Sequence, residues 1–396
     1  MALNSDRVEG MTSTAAPHSS ALAGRPLSTT GMVLGVAATF IGTTIGAGYA
    51  SGQEILQYFV SFGVWGGIGA LLIAGLLFFV LSATVLTLAH RLRTQDIHDL
   101  VNPTSSRWPT RFADLCITVS LLGTLVIMLA GAGAALTGPL GVPPLIGALI
   151  MAGVCVLSVL AGVTGLVRVQ QAVVPVIIVV ALGVAIWAIL TPEAPTGQDA
   201  TALVNSSPLI NTWWMSGILY VAFNIQLAYA VLAPVGAAAV SGRGLRRGAL
   251  LGALALVAMA GAIMAALMVN ASAVGQAELP MVDLAARIGP WASFLFLAVL
   301  LLAQFTTAVS CLFGSVQRLR RVHALRRLPV WTVAAGTALV TAVLSGVGFS
   351  QLVGIVYPLL GYAGIVIIVM LLVTAALHRR RRRASSTSAP EPTRAG

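Results

Sequence analysis

The sequence predicts an all-α integral membrane protein with ten transmembrane helices. They form two inverted repeats of five, with the first and sixth helices broken. Three observations lead there. Hydrophobic residues make up 58% of the 396 positions and charged residues only 8%, against about 25% charged in soluble domains. Ten apolar stretches reach the length of about 20 residues that a bilayer core demands. The cations, all of them arginine, fall in alternate loops between those stretches.

The ten stretches are 31–61, 64–90, 111–136, 143–163, 168–190, 211–239, 244–272, 289–316, 328–347 and 350–377. Arg7 and Arg25 precede the first; Arg91, Arg93, Arg107 and Arg111 follow the second; Arg168 follows the fourth. Arg243, Arg246 and Arg247 follow the sixth, Arg318, Arg320, Arg321, Arg326 and Arg327 the eighth, and Arg379–Arg383 the tenth. Arg287 alone falls on the other side, with Glu193, Asp199, Glu278 and Asp283. The positive-inside rule then places both termini in the cytoplasm of a multi-pass protein of the cell (inner or plasma) membrane. An odd number of helices per half makes the second half run opposite to the first, an arrangement common among transporters. Repeat one covers about 30–190 and repeat two about 211–378 within a transmembrane domain at 30–378. A disordered tail at 1–29 and a basic, then Ser/Pro-rich tail at 379–396 are expected in the cytoplasm.

Several functions are excluded by the same pattern. A net charge of +11 distributed as short loop clusters marks topology, not a nucleic-acid face. Cys116, Cys155 and Cys311 are scattered through apolar stretches without metal or disulfide spacing. No phosphate loop, Ser/His/Asp set or zinc motif occurs, so an enzyme is not expected. The start of the chain lacks the charged and apolar regions of a signal peptide. Trp108, Trp187, Trp213, Trp214 and Trp331 lie near span ends as an aromatic belt would, His90 and His378 snorkel there, and Asp114 pairs with Arg111.

Polar positions inside the spans concentrate in three places. The run Gly42-Thr43-Thr44-Ile45-Gly46-Ala47-Gly48-Tyr49-Ala50-Ser51-Gly52-Gln53-Glu54 has four glycines in eleven residues, each weakening a helix by about 1 kcal/mol relative to alanine. Backbone that unwinds in a membrane must line a cavity or hold a ligand, because lipid cannot satisfy its amides; close packing through small residues is the competing reading. Glu54 is either a functional acid or the last residue of a Ser51-x-x-Glu54 capping box that starts a half-helix. In the sixth span, Tyr220, Phe223, Asn224, Gln226 and the later Pro234 suggest a second break facing the first, or else interhelical hydrogen bonds. In the eighth, Ala303-Gln304-Phe305-Thr306-Thr307 presents hard oxygens suited to a small cation, unless the hydroxyls bond back to their own helix.

The stretch Gly46-Ala47-Gly48-Tyr49-Ala50-Ser51-Gly52-Gln53-Glu54-Ile55 resembles the hallmark of the YkvI-type amino-acid permease family. Asn224, Pro234, Thr306-Thr307, Gly314 and Gln317-Arg318 fit it too, so the resemblance spans about residues 30–378. That family is similar to the LeuT-fold transporters of the amino acid–polyamine–organocation superfamily. The resemblance implies a LeuT-like fold and a sodium ion held between Gly42, Ile45, Ala303, Thr306 and Thr307. It implies a substrate site around Thr44, Gly46, Ala47, Gly48, Tyr49, Tyr220, Phe223, Asn224 and Gln226. Tyr49 stands where some relatives carry an asparagine for a second sodium, so a single ion is expected. The absence of any lysine fits sodium better than a lysine-based proton site.

The expected function is secondary active transport: sodium-coupled symport of a small zwitterion such as an amino acid. Half-helix N-termini at the two breaks would hold its carboxylate. The alternatives are proton coupling through Glu54, with Glu54 as gate or proton carrier, and a non-transporting receptor or scaffold with a transporter-like core. Sodium is the only cofactor-like species expected. The partners are the small solute and the bilayer.

Overall fold

The computed structural model describes residues 29–102, 107–162, 166–192, 207–274 and 277–387, and its regular elements are all helical. The first span is interrupted: α1 (Thr29–Thr44), α2 (Ala47–Ala50) and α3 (Gln53–Tyr58). There follow α4 (Gly63–Leu92), the short α5 (Ile97–Val101), α6 (Arg107–Leu140), α7 (Pro144–Ala161) and α8 (Leu166–Leu190). The second half comprises α9 (Trp213–Ala238), α10 (Gly242–Val269), the connecting α11 (Ala271–Val274) and α12 (Pro280–Ile288), α13 (Pro290–Leu319), the short α14 (His323–Arg326), α15 (Val330–Leu344) and α16 (Phe349–Thr387).

Nine helices among the described residues are long and apolar enough to cross a membrane. The expected tenth is the interrupted first segment, whose longest piece, α1, has 16 residues. Large apolar side chains on the outside, such as Leu72, Leu76, Leu157 and Val179, are more than 60% exposed, as lipid contact requires.

Packing respects an exchange of the two halves. α1 lies along α10 as α4 lies along α9; α7 meets α13 as α6 meets α15; α8 meets α13 as α16 meets α6. The symmetry is not exact, and one pair departs from it most. α9 packs extensively along α16, whereas the counterpart pair, α1 and α8, touches only marginally.

The interface of α1 with α10, between the two halves, rests on glycines. Gly244, Gly248 and Gly252 make a stripe with one-turn spacing on α10, and Met32, Val36 and Phe40, spaced likewise on α1, lie in it. A methyl group on Gly248 would stand 2.6 Å from the Val36 Cβ, and one on Gly252 2.8 Å from the Phe40 ring. Small-xxx-small stripes let membrane helices approach this closely.

The arginine-bearing helix ends gather at one end of the bundle. Arg318, ending α13, binds Asp114 at the start of α6 at 2.8 Å, so Asp114 has a partner in the eighth span as well as its expected local environment. Gly242, opening α10, faces the His90 ring at the end of α4. At the opposite end, Glu278 accepts from the N–H groups of Phe349 (2.9 Å) and Ser350 (3.3 Å), capping α16. There too Arg287 donates to the Asn270 amide oxygen and lies over the Trp187 ring.

One expectation needs correction. The sixth span is not broken: α9 runs without interruption through Pro234. No glycine stands between Gly217 and Gly236, and the Asn224 amide donates back to the Tyr220 carbonyl at 2.9 Å, bracing the turn. Pro234 sits about one turn from the helix end, where losing one hydrogen bond does little. Beyond the tenth apolar stretch, α16 continues through the arginine run to Thr387. Arginine and alanine are good helix formers, and no glycine or proline intervenes before Pro390. The expected N-terminal tail lies outside the described residues but for Thr29, which begins α1. Glu193 and Asp199 lie outside them as well.

Candidate substrate site at the break of the first span

The break occupies Ile45–Gly46, with a second interruption at Ser51–Gly52. Gly46 is extended (φ −106°, ψ −177°), and a methyl group built on it would meet no atom within 4 Å, so space opens there. Gly52 takes the left-handed conformation (φ 83°), which glycine adopts without steric cost. The N–H groups of Ala47, Gly48 and Tyr49, which open α2, receive no backbone acceptor among the described residues. The interruption is real, and close packing alone does not account for it.

The capping box does not form. Gly52 is the N-cap of α3, and the Ser51 Oγ accepts from the Gln53 N–H at 3.3 Å rather than from that of Glu54. Ser51 donates in turn to the Gly48 carbonyl at 2.9 Å. Glu54 turns back over α2: a methyl group on Gly48 would coincide with its Oε1. The carboxylate is 4% exposed, and Oε2 has no hydrogen-bond partner among the described residues. It lies within electrostatic reach of Tyr49, Tyr58, Tyr220 and Tyr357. The Tyr58 hydroxyl is also buried and unpartnered among the described residues; the Tyr220 hydroxyl faces the Glu54 carboxylate, and Tyr49 donates to the Leu256 carbonyl at 2.6 Å.

Aromatic rings wall this pocket of polarity. Tyr58 and Tyr220 stand 5.3 Å apart, Tyr220 and Phe223 5.5 Å, and Phe223 stacks on Tyr357 at 4.4 Å. An unsatisfied buried polar group costs about 1–3 kcal/mol. Glu54 Oε2 and the Tyr58 hydroxyl are two such groups on the first span.

The remaining expected residues divide. Tyr220 and Phe223 join the Glu54 cluster. Thr44 donates to the Phe40 carbonyl of its own helix at 3.0 Å. Asn224 is spent within α9, and Gln226 turns to α16, donating to the Leu360 carbonyl at 3.2 Å. Gly42 faces Val174 of α8, and Ile45 is buried in the break. α13 packs against α2, and Thr306 donates to the Ala303 carbonyl at 3.0 Å. A hydroxyl so engaged still offers lone pairs to a cation. Residues beyond those expected complete the surroundings. Tyr58 lies one turn after Glu54. Gln53 and Gln57 hold Ser350 of α16, each at 2.6 Å. Gln304, fully buried, has neither amide atom partnered among the described residues.

Comparison with known proteins agrees with this architecture. No family model matches the chain. It is 27% identical over 330 residues to the uncharacterized membrane protein YkvI of Bacillus subtilis, covering 83% of this chain and 92% of YkvI, and 27% identical over 336 residues to YyaD of the same organism, with the same coverage. Among solved structures, the inward-facing conformation of Mhp1 aligns with a TM-score of 0.62 at 18% identity, over 87% of this chain and 76% of that one. A variant of the manganese transporter of Eremococcus coleocola aligns at 0.54 and 16% identity, over 92% and 89%. MhsT in complex with L-phenylalanine aligns at 0.54 and 15%, over 86% and 87%. The chain is an all-helical membrane protein with the LeuT fold that these transporters share, and its sequence is similar to that of YkvI.

Proposed function

We propose that this chain is a secondary active transporter that binds a small zwitterionic solute, an amino acid foremost, at the break of the first span and moves it by symport with sodium. The observation that carries the reading is Glu54: a buried carboxylate with an unpartnered oxygen, lying against Gly48, two residues after the opening at Gly46. Its charge suits the ammonium group of a zwitterion, and the free N–H groups at the start of α2 suit the carboxylate. The Tyr58, Tyr220, Phe223 and Tyr357 rings supply an apolar wall and a favourable face for a cation.

Sodium would bind between the carbonyls of Gly42 and Ile45 and the oxygens of Ala303, Thr306 and Thr307, where α13 lies beside α2. Movement would be a rocking of α1–α4, α9 and α10 against the remaining helices, with the arginine-rich end and both termini in the cytoplasm. Thr306→Val with Thr307→Val keeps side-chain volume and removes both hydroxyl ligands. Uptake by the double variant is expected to lose its dependence on a sodium gradient; an unchanged sodium dependence would refute the ion site. A second reading, proton coupling, is favoured by the same unpartnered Glu54 oxygen, since buried acids serve as proton carriers in many transporters.

A further inference from the structure

At the arginine-rich end, a cavity of about 500 Å³ opens between the end of α4 and the start of α10. His90 and Arg91 come from α4, Arg243 and Arg246 from the first turn of α10, and no acidic residue lines it. Arg91, Arg243 and Arg246 make no ion pair among the described residues, in contrast to Arg318, which Asp114 neutralises. Ser241 caps α10 by accepting from the Gly244 N–H, leaving the positive end of a 28-residue helix at the same wall. Three guanidinium groups and a helix N-terminus around one concavity repel one another until an anion enters.

The rest of the wall suits a lipid. Val240, 89% exposed, stands at the rim. Thr87 and Arg91 also line a second, smaller cavity of about 80 Å³, which reaches along α4 to Leu88 and across to Ala375 and His378 of α16. Arg91 therefore stands between the basic cavity and a second one of mixed character, to which Leu88, Leu92 and Ala375 contribute apolar groups beside Thr84, Thr87 and His378. Basic pockets between helices at the cytoplasmic surface select anionic headgroups.

We infer that this cavity is a binding site for a phosphate group, presented by an anionic phospholipid of the adjacent leaflet, with Arg91, Arg243 and Arg246 as its ligands. The site is independent of the transport reading. The test uses the full-length protein in detergent and measures binding and thermal stabilisation by added phosphatidylglycerol, phosphatidylcholine or inorganic phosphate. The variants are Arg91→Gln/Arg243→Gln/Arg246→Gln and, as a charge-matched control, Arg321→Gln/Arg326→Gln/Arg327→Gln. Each arginine near a membrane surface contributes about 1 kcal/mol, about fivefold. The first triple variant should therefore bind phosphatidylglycerol about 100-fold more weakly, while the control keeps near wild-type affinity. Competition by inorganic phosphate, lost in the same variant, would support the phosphate ligands; binding of inorganic phosphate with no binding of phosphatidylglycerol would overturn the lipid as its source. Equal weakening in both triple variants, or equal stabilisation by phosphatidylcholine, would overturn the site. A first variant that binds phosphatidylglycerol normally would do the same.

Discussion

Glu54→Gln is expected to reduce solute binding about 10- to 100-fold, because a buried charged hydrogen bond is worth about 1.5–3 kcal/mol. The side chain keeps its shape, so the effect reports charge rather than packing. Scintillation proximity or calorimetric titration of the purified variant would measure it. The same position has a second probe. Because the Glu54 Oε1 lies where a methyl on Gly48 would be, Gly48→Ala should push the carboxylate out of place and reproduce much of the loss with Glu54 intact. Wild-type affinity in both variants would show that the acid does not touch the solute. Transport by Glu54→Gln that still follows a pH gradient would dispose of the proton reading.

The second large effect concerns packing. Gly248→Val is expected to separate α1 from α10. The added Cβ alone comes within 2.6 Å of the Val36 Cβ and 2.9 Å of the Val33 carbonyl, which is backbone and cannot yield. Overpacking of this kind costs about 1–3 kcal/mol even where side chains adjust. A lower melting temperature in detergent and loss of uptake should accompany each other. Gly183→Ala on α8, where a methyl meets nothing within 4 Å, should leave both unchanged. A Gly248→Val protein as stable and active as wild type would mean that α1 does not lie against α10.

Much of this molecule was legible in the sequence. The apolar stretches were legible because the bilayer imposes one length on them: nine reappear as long apolar helices among the described residues and the first as an interrupted one. The break near Gly46 was legible for a similar reason: glycines and polar residues together weaken a helix where lipid offers no substitute hydrogen bonds. The supposed second break was not there, since Pro234 and Asn224 look alike in sequence whether a turn opens or is braced. The Gly244/Gly248/Gly252 stripe can be read as a packing motif, but its partner helix cannot, since that depends on the fold. The ring around Glu54 was only half visible. Tyr220 comes from the sixth span, but Tyr58 and Tyr357 meet Glu54 through the continuation of α3 and through α16, and nothing local to either tyrosine announces a site. The capping box, a local pattern with a local explanation, lost to the direction in which Glu54 turns.

The central claim is that the break around Gly46 and Glu54 carries an organic zwitterion coupled to an ion gradient. Uptake of a pooled, labelled amino-acid panel into proteoliposomes, with an inward sodium gradient compared against a proton gradient, tests it most directly. Accumulation driven by sodium, abolished in the Thr306/Thr307 valine variant and diminished in Glu54→Gln, is the predicted result. Accumulation driven only by protons would move the coupling site from α13 to Glu54. No accumulation of any amino acid under either gradient, from protein shown to be folded, would contradict the account.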